Sequence, residues 1–321
     1  MDDGTWQALA EAQQGLATRA QLREHGVTAE QLRWRLGRSW TLVLPRVVDV
    51  RGGRLTPERR LVASTLEAGP SSVISGHHAC LWHGLENAHG HTKVLTLVGS
   101  KQASRTTGFV RVVRTHRPVV TPVVRGLLRV APPARAVVDA ARTTRTPREA
   151  AAIVIEAVQR ELVSVAQLVH EVEAGARRGS ASVRRAVELA AAGAWSAPEA
   201  ELLDLCDSSP RLPHVWPNPW LRRPGGTALI SPDGWLDDVG LALMVHSKRH
   251  HVREAEWRST VERDGELQEV GVVVLGFTPS SIASEPGAVL ARIERTYARL
   301  VASGHRRADV VMTPRGQGLG R

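Results

Sequence analysis

The segment from Pro232 to His251, PDGWLDDVGLALMVHSKRHH, carries side chains whose types and spacing could do chemistry. Asp233 stands in a predicted turn, an apolar strand follows, and a polar cluster that begins with His246 ends the strand. Metal-dependent nucleases use this order to bring a carboxylate and a proton-transfer group to a phosphodiester. The segment therefore predicts a hairpin suited to phosphodiester hydrolysis.

The strand that would position these groups is predicted from Leu236 to His246 by its apolar composition. Its period of two places Met244 and His246 on one face, with Leu243 and Val245 on the other. A helix opened by Ser196-Ala-Pro-Glu199 precedes this strand; another helix, the strand VVVLGFT and a final helix follow it. We predict an α/β domain over residues 195–305 and a tail over 306–321.

Residues 1–54 predict three short helices followed by two β-runs that are separated at Pro45. Thr18 is a suitable N-cap for the second helix, and Thr28-Ala-Glu-Gln31 forms a capping box at the start of the third. The spacing predicts a winged helix-turn-helix. A winged helix-turn-helix usually binds DNA, but a small helical unit of this kind can also bind protein. Both DNA and protein therefore stay open as partners.

The third helix of this unit has an apolar side and a polar side, as a helix that enters the major groove of DNA requires. Leu32 and Leu36 are predicted to face the core. The opposite side carries Arg33 and Arg35, and Arg38 follows closely. These three arginines are the predicted DNA contacts.

Residues 55–145 predict a basic α/β domain, in which three β-rich runs between residues 93 and 130 are interleaved with arginines. His77, His78 and His83 lie close together in an earlier helical segment, where either a metal site or ordinary helix packing would explain them. Residues 146–194 are rich in Ala and predict a helical connector. The fold class expected for the whole chain is mixed α+β.

The charge of the chain favours an anionic partner. The net charge is +10, and the excess lies in the first 145 residues, which carry 21 Lys and Arg against 10 Asp and Glu. The other 176 residues carry 21 against 22. A basic front half suits DNA binding, although an arginine-rich surface can also serve solubility alone.

Several classes of protein are disfavoured by the composition. The only cysteines, Cys80 and Cys206, are far apart and predict neither a disulfide framework nor a zinc site. No apolar run approaches the length of a membrane span, which is about 18 residues or more, and the acidic N-terminus is unlike a secretory signal. We expect a cytoplasmic protein that is not bound to a membrane.

Two families share motifs with this chain. Residues 195–300 resemble the small restriction-endonuclease-fold domain related to very-short-patch mismatch repair endonucleases, through SAPEAELL, PDGWLDD, VGLALMVHSKRHH, EAEW and VVVLGFTP. The front of the chain is similar to AbiEi-like antitoxins of abortive-infection toxin–antitoxin pairs, through the helical unit, STLEAGPSSVISGHHACLWHGL and APPARAVVDAAR. The two resemblances cover nearly the whole chain.

The chain departs from the nuclease family where the metal is held. Relatives in that family usually carry Glu-x-Asp on the strand, whereas this chain has Met244-Val245-His246. Mg²⁺ prefers oxygen ligands, which neither a thioether nor an imidazole supplies. Gly276 also stands where related sequences often carry a basic residue.

The resemblance to the very-short-patch branch implies how this chain could bind Mg²⁺ without the Glu-x-Asp pair. In that branch one Asp and a backbone carbonyl on the strand hold Mg²⁺, and two histidines follow. The resemblance transfers these roles to Asp233 and the Val245 carbonyl as metal ligands, and to His246 or His251 as the general base or acid. Glu199 would be an additional carboxylate on the preceding helix.

Two functions follow from these resemblances. In the first, the protein binds DNA and hydrolyses it with Mg²⁺ at Asp233. In the second, the hairpin is inactive and the protein is an antitoxin or transcriptional repressor that has a cognate toxin as its partner. A homo-oligomer is compatible with both, and RNA as substrate stays open.

Overall fold

The computed structural model describes residues 5–176, 179–191, 196–246, 265–305 and 309–314. It confirms a mixture of helices and several open sheets. The chain folds into two compact units, Met1–Thr144 with His170–Arg178 and Arg145–Val169 with Gly179–Arg321. None of the helices within the described ranges is both long and apolar enough to cross a membrane.

The first unit begins with a small helical module. Its elements are α1 (Thr5–Ala12), β1 (Leu16–Thr18), α2 (Arg19–Glu24), α3 (Ala29–Arg35), β2 (Thr41–Leu44) and β3 (Val47–Asp49). Thr18 and Thr28 form the capping boxes of α2 and α3, as predicted. The strands pair antiparallel in the order β1-β3-β2. The strand β1 was not predicted, because three residues are too short for a periodic pattern.

The second part of this unit is a larger sheet with helices. Its elements are α4 (Pro57–Ala68), β4 (Val73–Ser75), α5 (Gly76–Trp82), β5 (Val94–Val98), β6 (Arg105–Thr107), β7 (Val110–Arg114), β8 (Val123–Arg125), β9 (Leu128–Val130) and α6 (Pro133–Ala141). The strand order is β6-β7-β5-β4-β9-β8. The predicted β-rich runs between residues 93 and 130 are confirmed, and β4 and β6 are additional strands.

The segments predicted as domains 1–54 and 55–145 both fall within the first compact unit, except for Arg145, which begins the second. A buried ion pair explains the connection: Arg59 Nη2 on α4 lies 2.6 Å from Asp49 Oδ1 on β3. Arg59 Nε also donates to the carbonyl of Gln14 at 3.0 Å. On the neighbouring turn, the amide of Arg46 donates to the Glu67 carboxylate of α4 at 3.0 Å.

The second unit contains most of the helical connector and the C-terminal part. Its helices before the sheets are α7 (Pro147–Gln159), α9 (Ala181–Ala191) and α10 (Ala197–Asp207), while α8 (Val165–Glu173) crosses the division between the units. The helix α7 packs against both α9 and α10. Arg148 Nη1 on α7 lies 2.8 Å from Glu201 Oε2 on α10. The helices α7 and α9 of the predicted connector therefore pack in the same unit as α10.

Two sheets and two helices complete the second unit. The elements are β10 (Trp216–Pro217), β11 (Trp220–Arg222), β12 (Ala228–Leu229), β13 (Gly234–Leu236), β14 (Leu241–Val245), β15 (Val273–Phe277), α11 (Pro279–Ser284), α12 (Pro286–Ala302) and β16 (Val311–Thr313). One sheet has the order β10-β13-β14-β15 and the other has the order β12-β11-β16. In the first sheet only β14 and β15 pair in parallel.

The two sheets of this unit share an apolar core. Leu221 and Leu229 of the smaller sheet belong to the same buried cluster as Trp235 and Ala242 of the larger one. The strand β16 extends this arrangement into the predicted tail, because it pairs with β11 through residues 311–313. The segment 306–321 is therefore not entirely a tail, and the domain continues at least to Thr313.

Candidate functional site

The strand predicted from Leu236 to His246 is shorter than expected: β13 ends at Leu236, residues 237–240 form a turn, and β14 spans Leu241–Val245, so that β13 and β14 make the hairpin. Gly234 pairs with Leu243, and Leu236 pairs with Leu241, in an antiparallel register. The half-buried Asp233 lies just before β13, where its Oδ2 accepts a hydrogen bond from the amide of Val245 at 2.5 Å. The two predicted metal-binding residues are therefore neighbours, joined by a direct hydrogen bond.

The direction of the Val245 backbone follows from this bond. In an antiparallel ladder, the N–H and the C=O of one residue point toward the same neighbouring strand. The amide of Val245 points toward Asp233, whereas the next amide, that of His246, donates to the Phe277 carbonyl of β15 at 2.8 Å. The Val245 carbonyl should therefore point toward the same side as its amide, and its role as a metal ligand stays a prediction.

Glu199 is linked to this hairpin through a residue that the sequence patterns did not indicate. Its Oε2 accepts a hydrogen bond from Nδ2 of Asn218 at 3.2 Å, and the amide of Asn218 donates to the carbonyl of Asp233 at 3.3 Å. Ser196, the N-cap of α10, donates to Oε1 of Glu199 at 2.8 Å. Two hydrogen bonds through Asn218 thus connect α10 to the turn that holds Asp233.

Asn218 fills a position for which its residue type is suited. It is buried, and its φ of 43° lies in the left-handed region, which Asn adopts more readily than most residues. The signal that could have identified it is an Asn between two prolines in a turn, WPNPW. Its amide side chain then has a fixed direction toward Glu199.

His246 follows β14 with its imidazole packed against the backbone of β15. A Cβ atom placed on Gly276 would lie 2.8 Å from both Cδ2 and Nε2 of that ring. Gly276 therefore makes room for the His246 ring, and any side chain at this position would crowd it. His251 lies outside the described residues, as does most of the helix predicted before β15.

Asp237 and Asp238 follow β13 and have partners of their own. Nε1 of Trp235 donates to Asp237 at 2.9 Å, and the Tyr297 hydroxyl donates to Asp238 at 2.6 Å. The hydrogen bond to the Asp238 carboxylate raises the pKa of Tyr297 to about 12, with a contribution from burial. The bond to Asp238 links the end of the hairpin to α12, whereas the bond to Asp237 lies within the hairpin.

The fit of a Mg²⁺ ion to the hairpin rests on few ligands. No group of three or more His, Cys, Asp or Glu side chains in the described ranges is arranged to hold a metal. Mg²⁺ usually keeps several waters and uses one or two protein carboxylates. Asp233 with the Val245 carbonyl is compatible with such a site, and one carboxylate oxygen of Asp233 already accepts the Val245 amide.

The second candidate site is the outer side of α3. Arg33 is exposed, and the residue Trp34 has 60% of its surface exposed. Arg38 covers one face of this indole: its Cζ lies 5.1 Å from the ring centroid, and its Nη1 donates to the Trp34 carbonyl at 2.9 Å. The stacking holds a cation and an aromatic ring together at the surface.

Arg35 lies on a different side of α3. Its Cζ is 4.8 Å from the ring centroid of Trp40 and 5.2 Å from that of Trp6. Trp40 is buried, as is Leu32 on the same helix, which confirms the predicted inward face. Arg35 therefore has a packing role that its sequence position did not indicate, and Trp34 takes its place on the outer side.

The histidines of α5 have separate environments. The ring of His77 stacks on that of His91 with centroids 3.6 Å apart, and Nε2 of His83 lies 2.9 Å from the Ala131 carbonyl. Burial lowers the pKa of His78 to about 4, assisted by the positive charge of Arg60. These contacts favour the packing interpretation of the histidines over a metal site.

No model of a protein family matches the chain, and no curated protein matches it either. The resemblances to antitoxins and to repair endonucleases therefore stay predictions that rest on motifs.

Proposed function

We propose that the protein binds duplex DNA through the module of residues 5–53, which would act as a winged helix-turn-helix. The observation that carries this proposal is the outer side of α3, where Arg33, Trp34 and Arg38 are exposed together. A helix with donors and an aromatic ring on its outer side is suited to contact base edges and phosphates in the major groove.

The surroundings of α3 support this assignment. The capping boxes at Thr18 and Thr28 fix where α2 and α3 begin. The hairpin of β2 and β3, which would be the wing, is held by the hydrogen bonds of Arg46 to Glu67. The excess of positive charge in the first 145 residues would attract any duplex before sequence is recognised.

The proposal can be tested with a fluorescent duplex of mixed sequence, about three helical turns long, titrated at several salt concentrations. Arg33→Ala should weaken binding and lower the slope of log K against log salt concentration by about 0.9, as one phosphate contact requires. Arg299→Ala, which removes an exposed arginine from α12, is the matched control and should leave the slope unchanged. Equal effects of the two changes would show that only net charge matters.

Trp34→Ala tests the role of the helix surface, because it changes no charge. It should reduce binding to a sequence selected from a random duplex pool more than binding to the mixed duplex. An unchanged preference would contradict a role for α3 in recognising DNA bases. Circular dichroism of each variant would verify that the module is still folded.

A second candidate is phosphodiester hydrolysis at the β13–β14 hairpin. It is favoured by the contact between Asp233 and Val245 and by the Asn218 link to Glu199. A bound Mg²⁺ would activate water and stabilise negative charge on the phosphate. Asp233 and the Val245 carbonyl would hold it, and His246, fixed over Gly276, would transfer a proton.

Purified protein should be assayed with Mg²⁺ or Mn²⁺ on plasmid, mismatched and single-stranded DNA and on RNA. Cleavage that His246→Asn abolishes would support catalysis, and intact substrates throughout would exclude it. In that case duplex binding alone would favour the repressor or antitoxin function. Co-purification with a toxin encoded by a neighbouring gene would then identify the partner.

A further inference from the structure

The strand β8 lies at an edge of the six-stranded sheet and carries exposed apolar side chains. Because β8 ends the strand order, no strand of the described ranges pairs with its outer side. Eleven large apolar residues are exposed in the described part of the chain, and four of them lie between residues 120 and 127: Val120, Val123, Val124 and Leu127. We call residues 120–127 the β8 edge. An apolar cluster on an open sheet edge indicates an interaction surface.

The backbone groups of Val124 are directed outward from the sheet. Arg125 and Leu128 pair on either side of a two-residue turn. Such a pair exchanges both backbone hydrogen bonds, and the next pair of the antiparallel ladder, Val124 with Arg129, exchanges none. The N–H and the C=O of Val124 therefore point away from β9. A further strand could pair with β8 through these groups.

We propose that the β8 edge binds the β8 edge of a second copy of this chain, antiparallel and with the two-fold axis at Val124. Each Val124 N–H then donates to the Val124 C=O of the other copy, and the two six-stranded sheets become one. The alternation along the backbone also directs the C=O of Pro122 and the N–H of Gly126 outward, because peptide bonds are planar and trans. In this register these two groups meet across the interface.

The side chains of the β8 edge favour a second copy as the occupant. Proline and charged residues usually protect an edge strand from pairing, and this strand has Pro122 before it and Arg125 at its end. The two-fold register accommodates both, since it uses only the C=O of Pro122 and places Arg125 opposite Val123 of the second copy instead of opposite another arginine. Val124 lies opposite Val124, so the strand is complementary to itself, as a two-fold interface requires.

Analytical ultracentrifugation of the full chain over a range of concentrations tests the proposal. An interface of one strand pair is small, so the wild type should show a monomer–dimer equilibrium with a micromolar dissociation constant. Val124→Pro removes the outward N–H without touching the hydrogen bonds to β9, and it should weaken dimerisation by about 5- to 150-fold, the effect of two lost hydrogen bonds. Val124→Thr, the matched control, keeps the N–H and the branched shape and should dimerise nearly as the wild type does. Circular dichroism of both variants would verify that they are folded.

Val124→Cys tests the register. In a hydrogen-bonded antiparallel pair the Cα atoms are about 5.5 Å apart, which a disulfide can bridge, so mild oxidation should give a covalent dimer. Val301→Cys, at an exposed position of α12, should not, and the native cysteines are buried. A wild-type monomer at every concentration would overturn the proposal and favour a strand of another protein as the occupant. A dimer that Val124→Pro leaves unchanged, or that Val124→Cys does not link, would also overturn it. Arg33→Ala should not change dimerisation, so this proposal and duplex binding fail separately.

Discussion

Asp233 has a structural role that can be measured separately from any catalytic one. Its carboxylate accepts the hydrogen bond of the Val245 amide at 2.5 Å and so extends the pairing of β13 with β14 by one step. Asp233→Ala removes this acceptor. Asp233→Asn removes the charge and keeps an oxygen that can accept the same bond.

The size of the effect follows from the type of hydrogen bond. A bond to a charged acceptor contributes about 1.5–3 kcal/mol, and a neutral one contributes about 0.5–1.5 kcal/mol. Asp233→Ala should therefore speed hydrogen exchange of the Val245 amide by about 10- to 150-fold, if exchange requires only local opening. Asp233→Asn should speed it by about 5-fold, since about 1 kcal/mol is lost.

Hydrogen–deuterium exchange of a peptide that covers β14 would measure this, and cleavage of plasmid DNA would be measured in parallel. A metal ligand needs the charge of the carboxylate, so both variants would lose cleavage if Asp233 binds Mg²⁺. If Asp233 only holds the hairpin, the Asn variant would cleave DNA nearly as the wild type does and would show only the small increase in exchange. Unchanged exchange in the Asp233→Ala variant would refute the structural reasoning.

Three further predictions concern buried or crowded groups. Arg59→Met should destabilise the first unit by about 3–5 kcal/mol in urea denaturation because it leaves the Asp49 carboxylate buried, and adding Asp49→Asn should restore part of the loss. Because the folded-state pKa of His78, about 4, lies below its unfolded value of 6.5, the unfolded chain binds the proton first. The free energy of unfolding should therefore fall by about 3 kcal/mol as the pH drops from 6.5 to 4. The His78→Gln variant should lose less free energy of unfolding over the same pH range. Gly276→Ala should displace the His246 ring and change its NMR resonances, and unchanged resonances would contradict the close packing.

Local patterns in the sequence predicted many elements correctly. The caps at Thr18 and Thr28, the inward direction of Leu32 and the strand after Asp233 depend on nearest neighbours and on periodicity. The structure adds the hydrogen bond from the Val245 amide to Asp233, and the roles of Asp233 and the Val245 carbonyl as metal ligands stay predictions. The predicted domain boundaries differ from the compact units, because Arg59 and Asp49 join two segments and β16 extends the last one.

The sequence by itself determined the mixed fold class, the short helical module at the front and the hairpin that carries Asp233. Only the tertiary structure decided which side chains are available. Arg35 is held by Trp6 and Trp40, while Trp34 is exposed under Arg38. Which of these side chains is exposed depends on contacts between residues that are distant in the chain or on opposite sides of a helix. Periodicity in the sequence alone does not specify these contacts. The same holds for Asn218, whose link to Glu199 and Asp233 exists only once α10 and the hairpin are packed together.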